Sequence, residues 1–361
     1  EDGTVFTGTS IGSTKSVISE IVFNTSMTGY LEVLTDPSYA GQAVVMTYPL
    51  IGNYGVTPDM ESAQPWPDGY IVRELSRIPS NFRCQGTIQD FLKEHDIPGI
   101  AGIDTRALTK ILREKGTMNG MITTDENYKL DEILPQLHVY NTGNVVDKVT
   151  CCEKKVLKAD GYKVALLDFG AKNNIAQSLH KRSCEVTIYP AHTTAEEILS
   201  SDPDGIMLSN GPGDPKACTD IIKEVKKLYD SEVPIFAICL GHQLMALATG
   251  ADTYKLKYGH RGGNHPVKDL ETGRVYISSQ NHGYAVDADS LDQTIAVPAF
   301  TNVNDGTNEG LKYTGKNIFT VQFHPEACPG PQDSGYLFDR FLEMMGGNKK
   351  CQRIRILKKY W

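Results

Sequence analysis

The spacing of apolar residues changes along the chain and divides it into two parts. In residues 4–56, Thr, Val, Ile, Ser, Gly and Tyr are frequent, and the run at residues 16–23 is typical of a half-buried strand. Within residues 87–115, apolar residues recur at helical spacing, and a Pro-Gly pair at residues 98–99 separates two short segments. The first part is therefore predicted to be β-rich, with two short helices.

After about residue 162, short apolar runs alternate with helical patterns. The predicted order is strand 164–169, helix 173–181, strand 185–189, helix 195–200, strand 205–208, helix 221–229, strand 234–238 and helix 242–248. Residues 254–323 are again strand-like, and a helix at 336–345 closes the pattern. This order is typical of βαβ units and predicts a largely parallel sheet covered by helices on both faces.

These patterns predict an α/β protein with two domains. The N-terminal domain, residues 1–150, is β-rich, and the second domain covers residues 162–345. Residues 151–161 are charged and aperiodic, which predicts a linker. Residues 346–361 carry several Lys and Arg residues without a clear core face, which indicates a C-terminal tail.

Composition and charge narrow the class of partner. The 361 residues are 40% hydrophobic and carry a formal charge of -8, from 44 acidic and 36 basic residues. This balance provides no basic surface for nucleic acid or an anionic membrane. No apolar run approaches the roughly 18 residues of a membrane span, and the first residues do not resemble a signal peptide. We therefore expect a cytoplasmic protein, and its eight cysteines, which include no C-x-x-C pair, are expected to be reduced.

One cysteine occupies a position typical of a nucleophile. In residues 234–244 an apolar strand runs into a turn of small residues and then into a helix, which is the layout of a nucleophile elbow with Cys239 at its tip. The positive end of the helix dipole would favour the Cys239 thiolate. The alternative is that Cys239 is an ordinary buried core thiol.

A second segment could supply the base that a thiol nucleophile needs. Residues 318–326 form an apolar run that ends in His324, with Glu326 two residues later. His324 would act as the base and Glu326 would orient its ring. Taken alone, the His-Pro-Glu sequence is more typical of a surface turn than of a catalytic pair.

A Gly-rich segment, residues 209–215, follows another apolar strand. Its residues Gly211 and Gly213 could bring backbone N–H groups close to a developing oxyanion. It is not a dinucleotide fingerprint, because Lys216 stands where the third Gly is required. The Asp-Phe-Gly tripeptide at 168–170 lacks the other kinase signatures, and no P-loop sequence is present, so no ATP site is predicted in this chain.

Cys239 within Ile-Cys-Leu-Gly-His-Gln, together with His324-Pro325-Glu326, resembles the class I, triad-type glutamine amidotransferases over about residues 162–345. Further stretches are similar to the small-chain family of carbamoyl phosphate synthetases, namely residues 23–30, 168–172, 262–267, 280–284 and 324–327. The first of these lies in an N-terminal domain that the other class I families lack. The resemblance therefore extends over nearly the whole chain.

The resemblance implies a role for individual residues. Cys239, His324 and Glu326 would form the catalytic triad, and Leu240 and Gly211 would supply the oxyanion-hole N–H groups. The residues implied to bind glutamine are Ser26, Gly211, Gly213, Leu240, Gln243, Asn281, Gly283 and Tyr284, with Lys172 nearby. The chain departs from the family pattern at Ala237 where Gly is usual, at Tyr284 where Phe is common, and at Cys328 where Ser is usual. The resemblance implies that Ala237 lies in the crowded elbow turn, where it adds a Cβ.

The implied function is that of the glutaminase subunit of a carbamoyl phosphate synthetase. Such a subunit hydrolyses L-glutamine through a Cys thioester and passes ammonia to a large synthetase subunit, in a heterodimer or a higher oligomer. The large subunit would use ATP and Mg²⁺ to make carbamoyl phosphate for arginine or pyrimidine synthesis. No cofactor or metal is expected in this chain.

Three alternatives remain at this point. The first is a glutaminase for anthranilate, GMP or CTP synthesis, against which the N-terminal domain and residues 262–267 count. The second is a non-catalytic regulatory subunit, against which the presence of Cys239, His324 and Glu326 counts. The third is a free-standing thiol hydrolase, which would need no large partner.

Overall fold

The computed structural model describes residues 1–327 and 330–346, which form two compact units. The N-terminal unit comprises Glu1–Val145, Lys255–Asn264 and Asn281–Gly283. The C-terminal unit comprises Val146–Tyr254, His265–Gln280 and the described residues from Tyr284 onward. Short segments from the second half of the chain therefore complete the N-terminal unit.

The N-terminal unit is built on a mixed six-stranded sheet. The strands of this unit are β1 (Thr9–Ser10), β2 (Val17–Asn24), β3 (Gln42–Met46), β4 (Leu50–Ile51), β5 (Gly69–Ile71), β6 (Glu74–Leu75), β7 (Gly99–Ala101) and β8 (Met118–Ile122). Its helices are α1 (Tyr30–Thr35), α2 (Ile88–Glu94), α3 (Thr105–Lys115) and α4 (Leu130–Val139). The strand order is β1-β7-β5-β3-β2-β8, with β7, β5, β3 and β2 parallel and both edge strands antiparallel to their neighbours. The short strands β4 and β6 form a separate parallel pair.

Side chains of β2 alternate between two cores, as the strand period requires. Val22 packs in a cluster with residues of α1 and α2, whereas Ile21 and Phe23 pack in a second cluster with α3. The start of α2 is capped by the Thr87 side chain, and that of α3 by Asp104. The two helices predicted within residues 87–115 are confirmed, whereas α1 and α4 were not anticipated from the sequence.

The C-terminal unit alternates strands and helices. Its helices are α5 (Val146–Val149), α6 (Asn173–His180), α7 (Ala195–Ser200), α8 (Thr219–Asp230), α9 (Leu240–Ala248) and α10 (Tyr336–Met344). Its strands are β9 (Lys155–Leu157), β10 (Lys163–Asp168), β11 (Glu185–Pro190), β12 (Gly205–Leu208), β13 (Ile235–Ile238), β16 (Ala296–Asn302), β17 (Asn308–Tyr313) and β18 (Ile318–Val321). Two longer strands, β14 (Asp252–Asp269) and β15 (Val275–Asp287), contribute residues to both units.

These strands form one sheet whose middle is parallel. The order is β15-β14-β16-β17-β18-β13-β12-β10-β11-β9. Strands β18, β13, β12, β10 and β11 are parallel, and antiparallel strands flank them on both sides. The α/β class predicted from the alternating pattern is confirmed. The predicted parallel sheet corresponds to these five central strands.

Both faces of the parallel centre are covered. Leu167, Leu208 and Ala237 face a core shared with α7, α8 and α9. Leu166 and Phe236 face the opposite core, shared with α6 and α10. Burial on both faces explains why these strands are continuous apolar runs rather than alternating sequences.

The segment predicted as a linker, residues 151–161, is partly strand in the structure. Its β9 pairs antiparallel with β11, with Lys155 opposite Ile188 and Leu157 opposite Val186, and forms an edge of the sheet. The charged residues that indicated a linker are compatible with an edge strand, because charged side chains are common there. The boundary between the two units lies earlier, between Val145 and Val146.

Two expectations from the sequence fall on residues outside the described ranges. They concern Cys328 and almost all of the tail at 346–361. Among the described residues, no helix combines the length and the apolarity that crossing a bilayer requires.

We predict that Phe236→Ala destabilises the protein by about 3–5 kcal/mol, because it removes a large core side chain. Phe236 is fully buried, its ring stacks on Phe319 at 4.4 Å, and Phe338 meets it edge-on at 5.6 Å. The matched control is Phe82→Ala, since the Phe82 side chain is 97% exposed and its truncation should change stability by no more than about 0.5 kcal/mol. Urea denaturation followed by circular dichroism measures both, and equal losses would contradict the packing described above.

Candidate active site

Seven of the residues predicted to be functional lie at one edge of the parallel sheet. Lys172 follows β10, Gly211 and Gly213 follow β12, Cys239 and Leu240 follow β13, and His324 and Glu326 follow β18. Because these four strands are parallel, their carboxyl ends meet at the same edge. This is the edge at which open α/β sheets bind ligands.

Cys239 forms the turn between β13 and α9 by itself. Its φ of 54° and ψ of −106° place a non-glycine residue in a rarely populated backbone region. Its N–H donates to the Val321 carbonyl at 2.8 Å, and the residue is only 2% exposed. Such strain costs about 1–3 kcal/mol and persists where the surrounding structure imposes it, often at functional sites. Cys239 therefore lies on a strained strand-to-helix turn, as the elbow hypothesis requires.

The start of α9 packs tightly against β12. The Gly241 N–H donates to the Ser209 carbonyl at 3.0 Å, and a Cβ at Gly241 would lie 2.6 Å from the Leu208 carbonyl oxygen. Only glycine fits this approach. The first N–H groups of a helix have no acceptor within it, and Leu240 is the first residue of α9.

Ala237 does not lie in the turn, contrary to our expectation. It is a fully buried residue of β13, paired with Leu208 on one side and Thr320 on the other. Its Cβ packs in the apolar core rather than against the Cys239 turn. The difference from the usual Gly therefore changes core packing and leaves the elbow itself intact.

His324 and Glu326 form a buried pair. Their side chains are 0% exposed, and His324 Nδ1 lies 2.7 Å from Glu326 Oε1. Among the described residues, His324 Nε2 has no hydrogen-bond partner. The register pairs Ile238 with Val321, so Cys239 and His324 follow the ends of adjacent strands. One ring nitrogen is thus held by a carboxylate, and the other is left for a proton-transfer partner.

Two neighbours keep Glu326 ionised. Burial raises the pKa of the Glu326 carboxyl, but His324 and the Lys172 ammonium, 3.8 Å from Oε1, lower it more. The net pKa of Glu326 therefore lies below its usual value. An ionised Glu326 stabilises a positive charge on His324, which a general base acquires when it takes a proton.

The Gly-rich loop after β12 is joined to the turn after β10. Ser209 Oγ accepts a hydrogen bond from the Phe169 N–H at 2.9 Å, and Asn210 Oδ1 accepts one from the Lys172 N–H at 3.0 Å. A Cβ at Gly211 would clash with the Phe169 carbonyl oxygen. Sequence reasoning did not identify Ser209 and Asn210 as the link, although their place in the polar motif after an apolar strand was visible.

Gln243 takes part in a hydrogen-bond network of the protein. Its Nε2 donates to the Tyr284 carbonyl at 2.8 Å and to Gln322 Oε1 at 3.0 Å. The atom of the Gln243 amide outside these two bonds is its oxygen, Oε1. Tyr284 contributes through its backbone, so the hydroxyl that distinguishes it from Phe does not affect this contact.

His242, a buried histidine next to the elbow, was also not singled out from the sequence. His242 Nδ1 lies 2.7 Å from Thr320 Oγ1, which joins α9 to β18. Burial lowers the pKa of His242 to about 3, so its ring is neutral at physiological pH. Its presence in the Ile-Cys-Leu-Gly-His-Gln sequence was the available signal.

The remaining predicted pocket residues have defined positions of their own. Ser26, Asn281 and Gly283 belong to the N-terminal unit. The Ser26 N–H donates to Asn24 Oδ1 at 2.7 Å, and Asn281 Nδ2 donates to Asp36 Oδ2 at 2.9 Å. Their assignment to a glutamine pocket stays a prediction. Gly213 has a φ of 90°, which suits glycine.

Comparison with known proteins identifies the family. A family model described as "Glutamine amidotransferase class-I" matches residues 165–344, and one described as "Carbamoyl-phosphate synthase small chain, CPSase domain" matches residues 1–122. The carbamoyl phosphate synthase small chain of Listeria monocytogenes serotype 4b is 52% identical over 352 residues, which cover 97% of this chain and 96% of the relative. The chain belongs to the carbamoyl phosphate synthase small-chain family.

A second curated relative agrees with this small-chain assignment. The small chain of Clostridium perfringens is 51% identical over 344 residues, which cover 95% of this chain and 97% of the relative. Among solved structures, a glutamine amidotransferase from Thermotoga maritima is 18% identical with a TM-score of 0.38, and the match covers 56% of this chain and 87% of that one. The small-chain resemblance seen in the sequence is confirmed by the relatives, which decides against the other amidotransferase families.

The described cysteines of this chain differ in their surroundings. The six described cysteines form no disulfide with one another; Cys328 and Cys351 lie outside the described residues. Burial raises the pKa of both Cys184 and Cys218 to about 12. The N-terminal end of α9, in contrast, favours the thiolate of Cys239.

We therefore predict that iodoacetamide at about pH 8 alkylates Cys239 before Cys184 and Cys218, because the thiolate is the reactive form. The exposed Cys152 serves as the internal reference for reagent activity. Peptide mapping by mass spectrometry measures the order. Labelling of Cys184 or Cys218 ahead of Cys239 would contradict the elbow assignment.

Proposed function

We propose that this chain is the glutaminase subunit of a glutamine-hydrolysing carbamoyl phosphate synthase. It hydrolyses L-glutamine to glutamate and ammonia, and the ammonia passes to a large, ATP-dependent subunit. One observation carries the proposal. Cys239 stands on a strained turn at the end of β13, and the buried His324–Glu326 pair follows the adjacent parallel strand β18.

The first step is nucleophilic attack by Cys239. His324 Nε2 takes the thiol proton, and the sulfur adds to the carboxamide carbon of glutamine. The tetrahedral oxyanion accepts hydrogen bonds from the N–H groups of Leu240 and Gly211. The hydrogen bonds that join the Gly211 loop to the turn after β10 support this role, because they keep the donor preorganised.

The second step releases ammonia. His324 returns its proton to the leaving nitrogen as the C–N bond breaks, and a glutamyl thioester remains on Cys239. Water, deprotonated by the same ring, then hydrolyses the thioester and frees glutamate and the thiol. Glu326 orients the His324 ring and stabilises the charged form of that ring in both half-reactions. The lowered pKa of Glu326 supports this role, because it keeps the carboxylate ionised.

Glutamine binding is assigned from the family resemblance. Its zwitterionic end needs both donors and acceptors, and hydroxyl, amide and backbone groups provide them. The residues proposed for this role are Ser26, Gly211, Gly213, Leu240, Gln243, Asn281, Gly283 and Tyr284, with Lys172 nearby. In the C-terminal unit, the hydrogen bonds of Gln243 to Tyr284 and Gln322 favour a rigid pocket wall.

The partner is proposed to be the large synthetase subunit. The curated relatives are named as small chains, which supports a complex of two different chains. ATP and Mg²⁺ would bind to the large subunit, and no cofactor is assigned to this chain. Carbamoyl phosphate made by this cytoplasmic complex would supply arginine or pyrimidine synthesis.

The central test replaces the proposed nucleophile. In the reconstituted complex, Cys239→Ser should abolish glutamine-dependent carbamoyl phosphate synthesis and leave ammonia-dependent synthesis largely intact. The hydroxyl is a much weaker nucleophile at neutral pH, yet the two side chains are nearly isosteric. Cys218→Ser is the matched control, because Cys218 is buried elsewhere in the C-terminal unit. The complex with this variant should retain both activities.

The two nitrogen sources separate the alternatives. A regulatory subunit predicts that neither activity depends on Cys239, and synthetase chemistry within this chain predicts that both fall together. A free-standing hydrolase predicts glutamine hydrolysis that does not respond to the large subunit. Retained glutamine-dependent synthesis in Cys239→Ser would refute the proposal.

A second variant tests the assigned substrate contacts. Ser26→Ala should raise the KM for glutamine about tenfold with little change in kcat, because loss of one hydrogen bond to a charged ligand costs about 1.5 kcal/mol. Ser16→Ala is the control, since Ser16 is exposed and bonds only to Thr123 among the described contacts. Steady-state kinetics at varied glutamine decide, and an unchanged KM in Ser26→Ala would remove Ser26 from the pocket.

A further inference from the structure

The Asp-Phe-Gly sequence at residues 168–170, which is not a kinase motif here, forms an ordered turn. Asp168 is the last residue of β10 and is 8% exposed. Its Oδ1 accepts hydrogen bonds from the Gly170 N–H at 2.9 Å and the Ala171 N–H at 2.7 Å. Its Oδ2 accepts one from the Cys151 N–H at 2.8 Å. One carboxylate thus fixes the turn internally and attaches it to the segment before β9.

The turn held by Asp168 reaches two parts of the candidate active site. The Phe169 N–H donates to Ser209 Oγ, and the Lys172 N–H donates to Asn210 Oδ1. The Lys172 ammonium lies 3.8 Å from Glu326 Oε1, with both side chains buried. Neither the Gly-rich loop nor the His324–Glu326 pair touches Asp168 directly in these contacts.

The turn also limits where the oxyanion donor can lie. Gly211 approaches the Phe169 carbonyl oxygen so closely that a Cβ would clash with it. A shift of the turn would therefore displace Gly211 or open a gap beside it. Displacements of about 1 Å near reacting groups can lower rates about a hundredfold.

We propose that Asp168 is a positioning residue for glutamine hydrolysis, which holds the Gly211 N–H and the Lys172 ammonium in place through the turn at residues 168–172. This inference rests on the function proposed above. Asp168 itself does not touch glutamine. Its role follows from three backbone N–H groups that converge on one buried carboxylate, at the point where β10 gives way to the turn.

The test compares two substitutions in the reconstituted complex. Asp168→Ala removes all three acceptor contacts and should lower glutamine-dependent kcat about tenfold to a hundredfold, with ammonia-dependent synthesis unchanged. Asp168→Asn keeps one oxygen for Gly170 and Ala171 but presents an amide NH₂ to the Cys151 N–H. It should lower kcat about threefold to tenfold.

A pH profile distinguishes positioning from a merely structural role. The charged and titratable groups that face Glu326 in the described contacts are His324 and Lys172. If Asp168→Ala displaces Lys172, the pKa of Glu326 rises because a nearby positive charge is lost. Because Glu326 must be ionised to stabilise the charged His324 ring, the acid limb of kcat/KM moves to higher pH. Lys172→Met should cause the same shift, and the double variant should shift it no further.

The control uses another carboxylate, that of Asp204, which bonds to the backbone at the opposite end of β10. Asp204 Oδ2 accepts the Lys163 N–H at 2.8 Å, where β10 begins. Asp204→Ala removes a comparable backbone contact, and both the rate and the pH profile should stay at the parent values. Equal losses in Asp204→Ala and Asp168→Ala would overturn the proposal.

Other outcomes are equally decisive. An unchanged kcat in Asp168→Ala, or an unmoved acid limb with additive effects of Lys172→Met, would overturn the role of Asp168. If Asp168→Ala does not fold, the smaller loss and the shifted limb in Asp168→Asn carry the test, and parent-like behaviour of that variant contradicts the proposal. Cys239→Ser in the same complex reports on the proposed function alone, so failure of that function is recognised separately.

Discussion

The backbone at Cys239 must reverse from strand to helix within a single residue, and the rest of the candidate site depends on that requirement. The residue can hold its unusual φ of 54° because β13 is buried on both faces and α9 approaches β12 through Gly241, where a Cβ has no room. The Cys239 N–H also bonds to β18, the strand that precedes His324. The sheet therefore determines both the strained backbone at Cys239 and the position of His324 after the adjacent strand.

Much of the C-terminal unit could be predicted from local pattern, because buried parallel strands are short apolar runs and their helices are periodic. The strand predicted at 205–208 matches β12, and the helix at 195–200 matches α7. The elements that local pattern did not predict are determined by tertiary contacts. The six residues of α1 resemble a strand locally and form a helix in which five are buried, and β9 is a strand because β11 offers it an edge. The bounds of the units also depend on contacts distant in sequence.

The candidate site divides in the same way. Cys239, His324 and Glu326 stand in recognisable sequence patterns, and the structure brings two of them, His324 and Glu326, within 2.7 Å. The supporting contacts were invisible in the sequence, because they join residues that are far apart along the chain. Examples are the Lys172 ammonium near Glu326 and the bond between His242 and Thr320. The electrostatic surroundings of these groups therefore require coordinates, whereas the candidate groups themselves can be named from sequence patterns.

The N-terminal unit includes two segments from the second half of the chain, which affects how it forms during synthesis on the ribosome. These segments are Lys255–Asn264 and Asn281–Gly283. Two contacts join the first segment to the N-terminal residues: Glu20 bonds to Lys255 at 2.6 Å, and the Thr25 N–H bonds to the Arg261 carbonyl at 3.2 Å. Domains generally fold as units during translation, the N-terminal one first. Here the first unit lacks these partners until the ribosome has passed residue 283. We therefore expect the nascent N-terminal unit to remain incomplete through most of translation.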